Sequence, residues 1–460
     1  MRASLRFVAS MIVPLAHVAC SSAAFDLAPA DQGDAASTDT GGGGDDTGGG
    51  GTDTGGGDDT SEARDTSPPP PADGGGPDTA PPPPDAIGSD GISGEGGVTC
   101  ASLPSGATDV YVDKKATGPS TGTAACPFKT IGEATTLSWS GSTVRTIHVA
   151  GGSPAFDYPE TASVVVRANV KLLGAGPAAT TISKGGSCPG GGSCVVLVEP
   201  GGILDGFNIP SGGGSSVVTN ASTGGTLVPA VRNCVVTDAT VGANIVIRGG
   251  ADLGPNLTVT KSYGVPGVQS SGAGIIHVIG TTNAFDKNGT SGFVIDGAAN
   301  LMFDGGSASG NGTHGLRLAG TGSYGVSNLQ AIGNVSVGIN VGSLGSIQLR
   351  KSTLIGNRIG LIFPQSATNN ADLGTTTSAG GNVFAASTGT HTNTIAGVCL
   401  ANVLRTITAE GNTWQACPPS QGSVTGCDLD GGTPYRDVYV SPGPTLPPAG
   451  PVTLGGCVTP

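Results

Sequence analysis

The chain has 460 residues, 82 of them glycine, with 12% charged, 4% aromatic and a formal charge of −13. The length allows one large domain or two to three ordinary ones. The acidity is confined to residues 25–98, which hold 16 acidic residues and a single basic one, Arg64, while residues 99–460 hold 17 of each sign. A neutral domain with scattered Lys and Arg excludes a nucleic-acid footprint, and the few aromatics leave little for stacking on sugars.

Residues 1–19 read as a secretory signal, with Arg2 and Arg6 before an apolar core from Phe7 to Ala16 that is too short to span a bilayer. The sequence HVAC then ends at Cys20. It resembles the lipobox of bacterial lipoproteins, matching at Val18, Ala19 and Cys20, with His17 where that family has leucine. The resemblance implies a diacylated Cys20 as the mature N-terminus and a membrane as partner. Ser21 after it suits export to the outer membrane or surface of a Gram-negative cell. Signal cleavage after Ala24, with Ser22 and Ala24 as the small residues, is the alternative.

After this lipidated start, residues 20–98 form one segment. From residue 25 it is built from Gly, Asp, Thr, Pro, Ser and Ala, as in DTGGGGDDTGGGG, and has too few apolar residues to bury a core. A disordered linker of that length has an end-to-end distance of about 50 Å. Such a tether would hold a domain clear of a membrane.

Residues 99–384 are predicted to form the folded domain. It opens with DVYVD (Asp109–Asp113), CPFKTIGEA (Cys126–Ala134), TIHVAGG (Thr146–Gly152) and VKLLGAG (Val170–Gly176). This order resembles the uncharacterised domain that opens pectin-lyase-like β-helix proteins of bacteria. The resemblance implies a right-handed parallel β-helix and no particular reaction. PFKTIGEAT reads as a short helix with Phe128 and Ile131 on one face, covering the unpaired edges of the first coil. Asp113 and Lys129 read as capping residues rather than catalytic ones.

Apart from Cys20 there are nine cysteines, an odd number, so at least one is free. Cys188 and Cys194 bracket a PGGGS loop and are the first candidate pair; Cys100 and Cys126 are a second. Cys399, Cys417, Cys427 and Cys457 pair among themselves, and Cys234 in NCVV reads as a buried thiol. Zinc is the rival use of cysteine, but the spacing has neither a CxxC pair nor a cysteine–histidine motif.

Asn288, Asn311, Asn334 and Asn357 recur every 23 residues. Five residues on come Phe293, Leu316 and Ile339; seven on, Ile295, Leu318 and Val341. Thirteen and fifteen on come Leu301, Tyr324 and Ile347, then Phe303, Val326 and Leu349. Apolar residues two apart have the strand period, and a fixed repeat with two or three short strands signals a solenoid. The predicted class is all-β, a right-handed parallel β-helix of about 23 residues per coil, its coils roughly 4.8 Å apart. Leucine-rich repeats share the length, but their LxxLxLxxN consensus is missing. The asparagines are predicted to form a structural ladder, each tolerating the left-handed region at a corner and bonding its neighbours. A row of sugar ligands is the functional alternative. Before Asn288 the register is looser, although GILDGFNI and VRNCVVTD read as short buried strands. From residue 385 the repeat is lost, so residues 385–460 are expected to supply final coils and a disulfide-bearing cap.

Polysaccharide-cleaving β-helices act from outward-facing columns. Inverting hydrolysis needs two carboxyls about 6.5–9.5 Å apart, and a lyase needs carboxylate-bound calcium and a base. The catalytic candidates here are His314 in NGTHGLRL, Asp304 and Arg350, the latter two coils from Asp304 on one outward column. Ser291 and Val337 occupy the position equivalent to His314, which therefore reads as a solvated turn. Asp286 and Lys287 fall at a turn with no second acid in register, and a carboxylate pair from distant coils through Asp205 or Asp238 is not brought together by the spacing. The sequence thus favours a monomeric, non-catalytic module that binds polysaccharide or another surface partner. It needs no cofactor or metal, with calcium required only if it is a lyase, the pectate-lyase-like alternative.

Overall fold

The computed structural model describes residues 99–441 and 457–458, apart from 138–141, 190, 221–226, 343–344, 364–370, 386–391, 402–406, 425–426 and 428–432. The expected signal, Cys20 anchor and linker lie outside the described residues. The domain is a parallel β-helix with three sheets: one of 11 strands from Asp109–Val112 to Ala371–Asp372, one of 5 and one of 13. Among the described residues the named strands pair in parallel except Gly186–Ser187 with Ser193–Val198.

The predicted columns are the observed register. Phe293, Leu316, Ile339 and Leu361 are successive partners, as are Leu301, Tyr324 and Ile347, and Phe303, Val326 and Leu349. The cause is the strand period of two: in Ala299–Ser307 the side chains alternate between buried and exposed along the first seven positions. A one-residue slip would turn every one of these side chains to the wrong face.

At the N-terminal end a helix, Ile131–Thr135, covers the first coil, with Ile131 and Ala134 buried in one core with Val110 and Val112. Thr130 caps it in a capping box with Glu133, and the Glu160 carboxylate accepts from the backbone of Ile131 (2.8 Å) and Gly132 (3.1 Å). The expectation for Phe128 is corrected here. It precedes the cap and forms a bridge with Val112, so it extends the strand edge instead of sharing a helix face with Ile131. Asp113 caps a turn by accepting from the Lys115 backbone, and takes no part in the helix.

Disulfides join Cys100 to Cys126, Cys188 to Cys194, Cys399 to Cys427 and Cys417 to Cys457. Cys234 is a buried thiol whose pKa is pushed up to about 12 by burial, which keeps it inert.

The asparagines form a buried ladder of six rungs, since Asn244 and Asn393 extend it at either end. From Asn311 to Asn393 each Oδ1 accepts the backbone N–H of the rung before it, at 2.9 Å (Asn288 to Asn311), 3.0 Å (Asn311 to Asn334), 2.9 Å (Asn334 to Asn357) and 3.0 Å (Asn357 to Asn393), whereas Asn288 Oδ1 accepts the Asn244 Nδ2 at 3.5 Å. Apart from that of Asn311, each Nδ2 also reaches a backbone carbonyl, for example that of Asn334 to Ala308 at 3.0 Å. The left-handed residue is not the asparagine but the one before it: Lys287 (φ 55°), Gly310 (64°), Gly333 (65°) and Gly356 (69°). The asparagine side chain must point inward to bond its neighbours, so the preceding residue makes the corner. The three Asn-x-Ser/Thr sequences on this ladder hold their asparagines inside the coil, out of reach of modification. A second ladder, Ser352, Asn382 and Asn412, repeats the device at another corner.

Candidate functional site

Outward side chains of the 11-stranded sheet stand in columns. One runs Asp252, His277, Met302, Gly325, Gln348, Asp372. Beside it runs Ile279, Asp304, Ser327, Arg350, and on the other flank lie Ile275 and Asn300, with Ser323 and Ser346 beyond them. His277 sits at the centre of the apolar part of this face. Its strand partners are Asp252 on one side and Met302 on the other, and Ile275 and Ile279 flank it along its own strand. Ile275, Ile279 and Met302 are 49%, 47% and 58% exposed. Gly325, next after Met302, has only the Leu301 carbonyl oxygen near its missing Cβ, at 3.9 Å, which leaves a notch beyond the methionine.

The His277 Nδ1 lies 3.1 Å from Asp252 Oδ1. In the neutral ring, a carboxylate at that position favours the proton on Nδ1 and leaves the lone pair on Nε2. No bond from Nε2 occurs among the described residues. The next coils are polar. Asp304 Oδ1 accepts from Ser327 Oγ and Asn328 Nδ2, both at 3.0 Å. Arg350 is bound to Asp372 at 2.7 Å, with Gln348 on the same carboxylate. Burial raises the Asp372 pKa, but bonds from Arg350, Gln348 and the Gly374 backbone outweigh it, and the net shift is downward.

Toward the N-terminal end the same face holds two further ionic groups. Asp205 is nearly buried and binds Lys171 (3.3 Å), Arg232 (3.0 Å) and Asn233 (2.8 Å). His148 lies 2.8 Å from Asp109 and stacks on Tyr111. The bond from His148, with a second from Thr108, lowers the Asp109 pKa.

The three sequence candidates do not meet. Asp304 and Arg350 share a column with Ser327 between them, and Arg350 is occupied by Asp372. His314 belongs to His314–Leu318, in the 13-stranded sheet. It is not a solvated turn, which corrects the sequence reading. It opens a strand opposite Val337, its Nδ1 is buried without a partner, and its Nε2 lies 3.4 Å from Asn340 Nδ2. His314 itself is half-buried, between the buried Ser291 and Val337 of the adjoining coils.

Burial first, then the Arg317 charge, lowers the His314 pKa from 6.5 to about 4. The fold therefore favours neutral His314, and the unfolded chain takes up the proton first as pH falls. Stability from this site is complete above about pH 6.5 and is lost toward pH 4, by at most about 3 kcal/mol. His314→Val, which copies Val337, is expected to reduce the fall in melting temperature between pH 7 and 4.5. An identical fall in both proteins would show that His314 stays solvated.

Sequence reasoning missed Asp252 and His277. A signal was present: Asp252, His277 and Met302 are 25 residues apart, a longer step than the repeat that follows. Among the described residues no three His, Cys, Asp or Glu side chains group as metal ligands.

No family model and no curated protein matches the chain. Two solved structures from Azotobacter vinelandii are similar in shape. The A-module of mannuronan C-5 epimerase AlgE6 aligns with TM-score 0.36 and 13% identity over 69% of this chain and 91% of its own. That of AlgE4 aligns with TM-score 0.36 and 13% identity over 75% and 100%. At that distance neither ligand nor reaction passes to this chain.

Proposed function

We propose that the protein is an exported, lipid-tethered β-helix that holds polysaccharide on the outward face of its 11-stranded sheet without cleaving it. The observation that carries this reading is the exposed group of Ile275, Ile279 and Met302 set around His277, beside rows of amides and hydroxyls. Isolated apolar residues on a surface need no explanation, but a grouped set marks a binding surface. Sugars present apolar C–H faces rimmed by hydroxyls, and this face offers the matching halves. The flatness of a long parallel sheet suits an extended chain. Tethering through Cys20, with the acidic linker as spacer, agrees with a partner outside the cell.

One observation favours a second reading, cleavage: Asp252 holds Nδ1 of the half-exposed His277, and in the neutral ring this leaves an Nε2 lone pair, as a general base requires. An array of glycans and a depolymerisation screen of the full chain separate the two. Retention without shortening is expected. Shortening that disappears in His277→Ala would establish the second reading instead. Met302→Asp is expected to weaken retention about tenfold, the loss of one buried side chain's worth of apolar contact. Tethering is tested by a palmitate analogue: label in the wild type that is lost in Cys20→Ala is expected, and no label in the wild type contradicts it.

A further inference from the structure

Resting on the polysaccharide reading, we infer that the ligand is an uncharged, hydroxyl-bearing polysaccharide and not a polyanion. The first ground is charge. Arg350 is held by Asp372, and Lys171 and Arg232 by Asp205. His277 and His148 each face a carboxylate. On the columns around His277, Asp252, Asp304 and Asp372 stand against Arg350 alone. A chain of carboxylates or sulfates laid on these columns would meet net negative charge and, among their described residues, no cation free of a carboxylate, with exposed Lys351 lying just past them. Freeing Arg350 would leave Asp372 without its strongest partner.

The second ground is hydrogen-bond sense. Around the apolar group, the atoms with no bond among the described residues are mainly acceptors: His277 Nε2, Asp304 Oδ2 and Gln348 Oε1. Asn300 Nδ2 is the one amide donor beside them, since Asn300 Oδ1 already accepts from the Ser323 backbone. Acceptors need donors, and a sugar hydroxyl supplies an O–H where a carboxylate or sulfate supplies only further acceptors. Ile275, Ile279 and Met302 would lie under the C–H face of the sugar, with His277 Nε2 accepting a hydrogen bond from a hydroxyl at the centre of the patch.

The test is affinity electrophoresis of the full chain through gels containing mixed-linkage β-glucan, galactomannan or arabinoxylan. Parallel gels contain polygalacturonate or alginate, and all are run at low and at physiological salt. At least one neutral polymer is expected to retard the protein equally at both salt concentrations, since no charge pairing is screened. Met302→Asp and, independently, Ile275→Ser are expected to reduce that retardation about tenfold while melting as the wild type. Retardation by the polyuronates alone, fading with salt, would overturn this inference and leave the polysaccharide reading standing. Retardation by no polymer of either kind would remove that reading itself. Neutral retardation untouched by both variants would overturn the site.

Discussion

Asn334→Ala is expected to destabilise the domain by about 2–4 kcal/mol, because it orphans buried donors on the neighbouring coil. Asn334 Oδ1 accepts from both the backbone N–H (3.0 Å) and the Nδ2 (2.9 Å) of Asn311. Its own Nδ2 donates to the Ala308 carbonyl and to Asn357 Oδ1, each at 3.0 Å. Alanine removes all four bonds at a buried site, and its methyl group cannot replace the inward-pointing acceptor there. Coils contact only their neighbours, so the damage should concentrate between the coils of Asn311 and Asn357. The double variant Asn311→Ala/Asn334→Ala should cost less than the two single variants summed, because they share bonds. Urea unfolding measures both. If Asn334→Ala unfolds as the wild type but loses glycan retention, the asparagines are ligands and the ladder account fails.

Asp437→Ala is expected to cost about 3–5 kcal/mol, localised at the C-terminal end. This carboxylate is 0% exposed. Its Oδ1 accepts from the Gln415 backbone (2.8 Å) and the Tyr435 hydroxyl (3.1 Å). Its Oδ2 accepts from the backbones of Ala416 (3.3 Å) and Ser420 (2.9 Å) and from Ser420 Oγ (2.8 Å). Burial, then the Asp437 charge, pushes the Tyr435 pKa up, so the hydroxyl keeps its proton and remains a donor. One side chain thus ties residues 415–420 to the strand Arg436–Ser441, and the bond between Cys417 and Cys457 holds the same segment from the other side. Hydrogen exchange should show early opening of residues 413–423 in the variant, with the coils around Asn311 unaffected. Unchanged protection there would mean that the disulfides alone hold the cap.

The coils from Asn288 to Asn357 were legible because each rung repeats the same residue types at one spacing, so periodicity alone gave register and core. The ladder's outer members were not. Asn393 lies 36 residues beyond Asn357, and Asn382 and Asn412 form their own ladder at 30, with Ser352 in place of an asparagine. Insertions within a coil preserve the corner while destroying the period. His314 looked solvated because its column accepts serine and valine, yet a small or apolar residue fits a buried corner equally well. Asp437 was invisible because most of its partners are backbone groups, which leave no residue signature. The dyad of Asp252 and His277 was hidden by the change of step, although the column it stands in continues through Met302 to Gln348.

Oxidative footprinting of the full chain, with and without a neutral polysaccharide that retards it, addresses the sheet-face account most directly. Met302 is the one methionine after residue 98, it is 58% exposed, and its sulfoxide is read by mass. Bound polysaccharide is expected to protect Met302 at least several-fold while exposed Tyr263, away from this face, oxidises as before. Equal oxidation of Met302 at saturating polysaccharide, with protection appearing elsewhere, would contradict the account.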